Sequence, residues 1–260
     1  MAYIISFVNQ KGGVGKTTSA INVATMLSVM NYKVLLIDMD PQGSSTSGVG
    51  VMKSTHAHTS YEVLIGKCDM KSAIVETRFK NLHLIPSNVS LAAADYELIG
   101  EDGRELFLKR QLSALMNECS YDYVIIDCAP SIGLITINAL SASNSIIIPL
   151  QCEYYALEGL SQLMLTIKKV KQHYNPRLFI LGILVTMFSS RLKICNQVLD
   201  ELKKYYADKL FDTKISRTVM LCEAPSYGEP IYYYAKYSKP SLEYQDLAKE
   251  IISRTGGFLI

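Results

Sequence analysis

The feature that most constrains this chain is a glycine-lysine turn set between a strand-like and a helix-like run. Tyr3–Val8 is apolar and rich in β-branched residues. It opens onto Asn9-Gln10-Lys11-Gly12-Gly13-Val14-Gly15-Lys16-Thr17-Thr18. Lys16–Met30 then places Ala20, Val23, Ala24 and Leu27 on one helical face. Gly12, Gly13 and Gly15 can take backbone conformations that aim N–H groups, Val14's among them, at phosphate oxygens. The helix beginning at Lys16 adds the positive end of its dipole. The general phosphate-loop pattern G-x-x-x-x-G-K-[ST] is met at Gly15-Lys16-Thr17, with Gln10 in place of the first glycine. In such a loop Lys16 reaches the β- and γ-phosphates, the Thr17 hydroxyl ligates Mg²⁺, and Thr18 bonds the α-phosphate.

The strand-then-helix rhythm continues. Lys33–Ile37, Leu82–Ile85, Tyr123–Ile126, Ser145–Pro149 and Phe179–Thr186 read as further buried strands. Helical stretches lie between and after them: Glu105–Cys119, Leu157–His173, Lys193–Ala207 and Ser241–Ile252. Alternating βα units predict an α/β fold, a mostly parallel twisted sheet with helices on both faces. No linker or repeat divides the sequence, so residues 1–260 are expected to form a single domain. Ligands of such sheets bind beyond the carboxyl ends of the strands.

Acidic residues stand at two of those ends. In Val34-Leu35-Leu36-Ile37-Asp38-Met39-Asp40-Pro41 the carboxylates are two apart, so on a strand Asp38 and Asp40 face the same way. Paired acids there can hold Mg²⁺ through water and orient an attacking water. Tyr123-Val124-Ile125-Ile126-Asp127 reads as a Walker B strand, whose Asp127 holds a Mg²⁺-bound water.

Apolar runs such as Val34–Ile37 fall far short of the roughly 20 residues that cross a bilayer, and the N-terminus enters strand-like sequence at once, without the successive charged and apolar regions of a signal peptide. The cytoplasm is the expected compartment. The six cysteines form no C-x-x-C pair and read as reduced, while His56 and His58 lack companions for a metal site. Net charge is +2, but residues 164–260 carry 15 Lys+Arg against 9 Asp+Glu. That basic half fits either a polyanion-facing surface or an ordinary solvated face.

The Lys-Gly-Gly-x-Gly-Lys-Thr run at residues 11–17 resembles the deviant Walker A group, which includes ParA, MinD, nitrogenase iron protein and ArsA. Leu150–Leu160 and Glu223-Ala224-Pro225-Ser226-Tyr227-Gly228-Glu229-Pro230 resemble the ParA partitioning type within it. The first strand starts at residue 3, so the short chromosomal type is expected. The resemblance implies a cycle. ATP and Mg²⁺ build a homodimer with two nucleotides between subunits, and the dimer binds double-stranded DNA non-specifically on the nucleoid. A ParB-like centromere-binding protein then stimulates hydrolysis and releases it. By the same resemblance Lys11 reaches the partner's nucleotide, Asp40 positions the hydrolytic water and Asp38 joins the Mg²⁺ shell. Met187 and Arg217 neighbour the adenine, and Arg191 contacts the DNA backbone.

A second DNA-binding arginine of the family aligns with Met220. Lys193, Lys214, Lys236 and Lys239 are the expected replacements, and the tyrosines among them, Tyr232–Tyr234 and Tyr237, read as packing more than as base-stacking. Two alternatives keep the ATPase and change its setting. One positions a protein cargo on the nucleoid. The other cycles on a membrane as MinD does, for which the tail after Arg254 is poorly suited, since Gly256-Gly257 breaks the helix before Phe258-Leu259-Ile260.

Overall fold

A computed structural model describes residues 2–256. The tail residues Phe258-Leu259-Ile260, on which the membrane alternative turns, lie outside them. Seven strands form one sheet: β1 (Tyr3–Phe7), β2 (Val34–Met39), β3 (Val75–Glu76), β4 (Leu82–Ile85), β5 (Tyr123–Cys128), β6 (Ser145–Gln151) and β7 (Phe179–Thr186). Their order is β3-β4-β2-β5-β1-β6-β7, parallel throughout except for the β3–β4 pair. The expected α/β sheet is therefore present, with one short antiparallel edge strand added.

Eleven α-helices are described: α1 (Lys16–Val29), α2 (Ser44–Gly48), α3 (Ser60–Leu64), α4 (Ala94–Glu97), α5 (Phe107–Glu118), α6 (Leu134–Ala142), α7 (Ala156–His173), α8 (Lys193–Tyr206), α9 (Met220–Glu223), α10 (Ile231–Tyr234) and α11 (Lys239–Arg254). Side chains alternate across the pleat, and the core divides accordingly. Tyr3, Ile5, Phe7, Val34, Leu36, Tyr123 and Ile125 pack under α1 and α11. Leu35, Ile37, Val124 and Ile126 point to the other face, under α3, α5 and α6, while Ile146, Ile148 and Val185 pack under α7 and α8. Central strands buried on both faces explain why they read as unbroken apolar runs.

α11 starts two residues earlier than its apolar pattern. Ser238 caps it by accepting from the Ser241 N–H at 3.4 Å, and Pro240 occupies the first turn, where its missing N–H costs nothing. The register sets Asp38 opposite Asp127 and Asp127 opposite Phe7, all on the α1 side of the sheet. That register brings the ends of β1, β2 and β5 to one place.

Candidate nucleotide site

The turn after β1 is built by short local bonds. Asn9 lies just beyond the strand. Its amide donates to the Pro149 carbonyl at 2.7 Å, and its oxygen accepts from the Lys11 N–H at 3.0 Å. Gly13 and Gly15 have φ of 73° and 81°, in the left-handed region that a side chain resists. A side chain at Gly12 or Gly13 would meet nothing within 4 Å, so the turn encloses open space. Thr186, at the end of β7, donates its hydroxyl to the Val14 carbonyl at 2.8 Å and closes the turn from the far side. The α1 ladder begins with Ser19 N–H to Gly15 O, leaving the N–H groups of Lys16, Thr17 and Thr18 without helical partners.

Lys16 is buried and folds back over the turn, donating to the Lys11 carbonyl at 3.0 Å. Burial lowers its pKa, against which Asp127, Cys128 and Asp40 act. Lys11 lies outside the turn, where its ammonium pairs with Glu153, both side chains about half exposed. The sequence marked Lys11 but gave no sign of this partner in its own chain.

The spacing of Asp38 and Asp40 predicts two carboxylates facing one way along a strand, and the structure places them on different elements. β2 ends at Met39, and Asp40 stands in the turn beyond it, accepting the Gln42 N–H at 2.9 Å. Asp38 is fully buried. It accepts from the Thr46 N–H at 2.8 Å, the Thr46 hydroxyl at 2.7 Å and the Asp40 N–H at 3.2 Å. These donors occupy both its oxygens, so Asp38 holds α2 and the Asp40 turn onto the sheet. Asp127 accepts the Ser45 hydroxyl at 2.7 Å through Oδ2, while its buried Oδ1 has no full hydrogen-bond partner among the described residues. Burial pushes both carboxyls up from the ordinary range, and each carboxylate's charge raises a neighbour further. Thr46 also accepts from the Ser87 N–H at 2.9 Å, so two hydroxyl residues missed by sequence reasoning, Ser45 and Thr46, tie this end of the sheet together.

An orphaned carboxylate oxygen in a buried site, with the Thr17 side chain close enough to lower the Asp127 pKa, suits a hard cation with oxygen ligands. The residues present therefore fit Mg²⁺, held by Thr17 and, directly or through water, Asp127. Asp38, the other acid expected in that shell, is held close by through Thr46 and the Asp40 N–H.

Beside the turn lies a cleft of about 770 Å³. Gly13, Gly15 and Thr18 form one wall, and Met187, Ser216, Arg217, Thr218 and Val219 form the other. The two residues anticipated beside a base, Met187 and Arg217, thus share one cavity with the phosphate loop. Met187 has φ of 50°, unusual for a side chain, where the chain leaves β7. Tyr244 and the exposed Cys222 also line the cleft and were not anticipated.

The basic residues expected at a DNA surface lie on several elements. Arg191 and Lys193 are exposed at the start of α8. Lys214 is half-buried over the Phe188 ring, 5.9 Å from its centroid. Lys236 lies over Tyr232 at 5.2 Å and Tyr237 at 5.6 Å, and Lys239 pairs with Glu243 at 3.6 Å. Tyr232 and Tyr234 pack against the core, as expected of packing residues, whereas Tyr237 is 84% exposed.

The sequence and fold can be set beside known proteins. An AAA domain family model matches residues 2–180. The sporulation initiation inhibitor protein Soj of Bacillus subtilis is 49% identical over 251 residues, 96% of this chain and 98% of that protein. The chromosome partitioning protein ParA of Myxococcus xanthus is 47% identical over 251 residues, covering 96% and 88% respectively. Among solved structures, cobyrinic acid a,c-diamide synthase from Mycobacterium smegmatis, with bound ATP analogue and magnesium, superposes with a TM-score of 0.85 at 34% identity, covering 99% of this chain and 97% of that one. A deviant phosphate loop at the head of a seven-stranded sheet, with such identity along nearly the whole length, places the chain in the Soj/ParA family of chromosome-partitioning ATPases.

Proposed function

We propose that residues 1–260 act as one ATPase domain that partitions DNA through an ATP-bound homodimer. The observation that carries this reading is the convergence of the glycine turn, the buried Lys16 and the unsatisfied Oδ1 of Asp127 at the carboxyl ends of β1, β2 and β5. The magnesium-bound ATP analogue in the Mycobacterium smegmatis protein supports ATP and Mg²⁺ as the ligands of this site. A Mg²⁺ ion held by Thr17 and Asp127 would supply charge neutralisation for the bound phosphates.

The chain's own groups have distinct parts. The free N–H groups at the start of α1 and the backbone of residues 12–18 hold phosphate oxygens. Lys16 turns from the Lys11 carbonyl to the β- and γ-phosphates, and Thr17 and Asp127 hold the cation shell. Asp40 accepts a hydrogen bond from the attacking water and orients it in line with the γ-phosphorus. The base enters the cleft between Gly15 and Arg217, against Met187. In the dimer, Lys11 leaves Glu153 and stabilises the charge that develops on the partner subunit's nucleotide, as an arginine finger does.

Arg191, Lys193, Lys214, Lys236 and Lys239 present a basic surface for phosphates of double-stranded DNA, read without base contacts. A ParB-like protein bound to a centromere accelerates hydrolysis, which dissolves the dimer and releases the DNA. The cycle runs in the cytoplasm on the nucleoid. No helix among the described residues is long and apolar enough to cross a membrane, and stable membrane association is not part of this reading. The test is steady-state ATP hydrolysis by the purified protein, alone, with double-stranded DNA, and with DNA plus a ParB-like protein. The reading requires low basal turnover that rises when both are present. Turnover indifferent to both would remove the partitioning cycle while leaving the phosphate site in place.

A further inference from the structure

The segment 209–216 runs beside β7 and the residues that follow it, joined to them by isolated bridges. One edge of it is satisfied by β7: Ile183 N–H donates to Lys209 O at 2.7 Å, Phe211 N–H to Ile183 O at 3.1 Å, and Ile215 N–H to Val185 O at 2.9 Å. The opposite edge meets no strand among the described residues. Its N–H groups are taken by two carboxylates of α11 that stand seven residues, or two helical turns, apart and so share one face. Glu250 accepts from Asp212 N–H at 3.0 Å and Thr213 N–H at 3.2 Å. Glu243 accepts from Ser216 N–H at 2.9 Å and from the Ser216 hydroxyl at 2.8 Å through one oxygen and 2.9 Å through the other.

The two carboxylates differ in what lies next along the chain. Glu250 is neutralised by Arg254 at 2.8 Å and holds a part of the segment that does not line the cleft. Glu243 holds Ser216, and the next residues, Arg217, Thr218 and Val219, form the cleft wall facing the phosphate loop. Its chain neighbour Tyr244 lines the same cleft and shares a hydrogen bond at 3.2 Å with Ser19 on α1. Consecutive residues of one helix therefore grip the base wall and the phosphate-loop helix. The Glu243 side chain is largely shielded from water, which strengthens hydrogen bonds to its charge.

We propose that Glu243 is a positioning residue for the nucleotide. Through Ser216 it fixes the distance from the Arg217–Val219 wall to the phosphate loop, and so sets the preference for adenine over other bases. The proposal rests on the reading of this cleft as the base site. Without Glu243 the Ser216 N–H and hydroxyl lose their acceptor, the wall is no longer fixed, and contacts to the base weaken while those to phosphate persist.

The test uses the full chain and isothermal titration with ATP, GTP and tripolyphosphate, alongside thermal unfolding. Glu243→Ala is expected to bind ATP about 10-fold more weakly, in keeping with the loss of a charge-assisted hydrogen bond, while tripolyphosphate affinity holds and the ATP-to-GTP ratio falls towards one. The KM for ATP rises by a similar factor with little change in kcat. Glu243→Gln recovers most of the ratio, because its amide oxygen accepts the Ser216 N–H and its NH₂ donates to the hydroxyl. Glu250→Ala keeps the ratio of the unaltered protein. A folded Glu243→Ala protein that retained the ratio, or that lost ATP and tripolyphosphate equally, would overturn the proposal. If Glu243→Ala does not fold, Ser216→Ala takes its place with an expected loss of about 3-fold in the ratio, and an unchanged ratio there also overturns it. An unaltered protein that binds ATP no better than tripolyphosphate would overturn the base-site reading, and the role of Glu243 with it.

Discussion

Replacing Lys16 by methionine separates what the lysine does for the fold from what it does for the ligand. In the described state its ammonium makes one hydrogen bond, to the Lys11 carbonyl at 3.0 Å, and it is only 6% exposed. Methionine keeps the straight side chain and removes the charge. The fold loses one hydrogen bond, worth about 0.5–1.5 kcal/mol, and is relieved of an ammonium that burial disfavours. These nearly offset, so the melting temperature of the nucleotide-free protein should move by no more than about 3 °C. The ligand side has no such offset. Hydrogen bonds to charged groups contribute roughly 1.5–3 kcal/mol each, and contacts to one β- and one γ-phosphate oxygen together represent about 3–6 kcal/mol. ATP affinity should therefore fall by about 100-fold to 10,000-fold. Isothermal titration with Mg-ATP and thermal unfolding of the same sample measure both. Affinity within about five-fold of the unaltered protein would refute the phosphate-loop assignment. A large drop in melting temperature without nucleotide would refute the claim that Lys16 is spare to the fold.

Three further outcomes follow from the geometry. Asp40→Ala removes the acceptor assigned to the attacking water, so hydrolysis should fall by at least about 100-fold while an ATP-bound dimer accumulates, visible by sizing chromatography with ATP; monomer alone would give Asp40 another role. Arg191→Glu should weaken retention on DNA and flatten its dependence on salt without affecting dimerisation; gel shifts unchanged across several salt concentrations would count against the basic surface. Burial raises the Asp127 pKa from 3.8 to about 7, so its contribution to stability is present below the unfolded value and is lost as pH rises through the folded one. Metal-free protein should accordingly lose melting temperature from about pH 4 to about pH 7, and Asp127→Asn should flatten that slope; an identical slope in both would show that Asp127 is not its source.

The central strands were legible because burial on both faces demands continuous apolar sequence, and the acids at their ends stood out for the same reason. Boundaries moved by one or two residues at several ends, and for α11 the cause is a cap, Ser238 with Pro240 in the first turn. What escaped reading depends on tertiary partners. β3 is two residues long and has no period to detect. α2, with the sequence Ser-Ser-Thr-Ser-Gly, has no apolar face at all; two buried carboxylates hold it by its hydroxyls. The spacing of Asp38 and Asp40 predicted that both face the same way, and only the fold shows that Asp38 is bonded to Thr46. Likewise, the separation of 27 positions between Ser216 and Glu243 hides a contact that is direct in space.

The ion pair between Lys11 and Glu153 bears on how readily two subunits can meet. Both side chains reach water, and an exposed pair of this kind contributes at most about 1 kcal/mol. Undoing it on one subunit would weaken association by no more than roughly five-fold. The lysine thus has a partner within its own chain, and that partner holds it lightly enough to leave it available for the role proposed for it across a dimer.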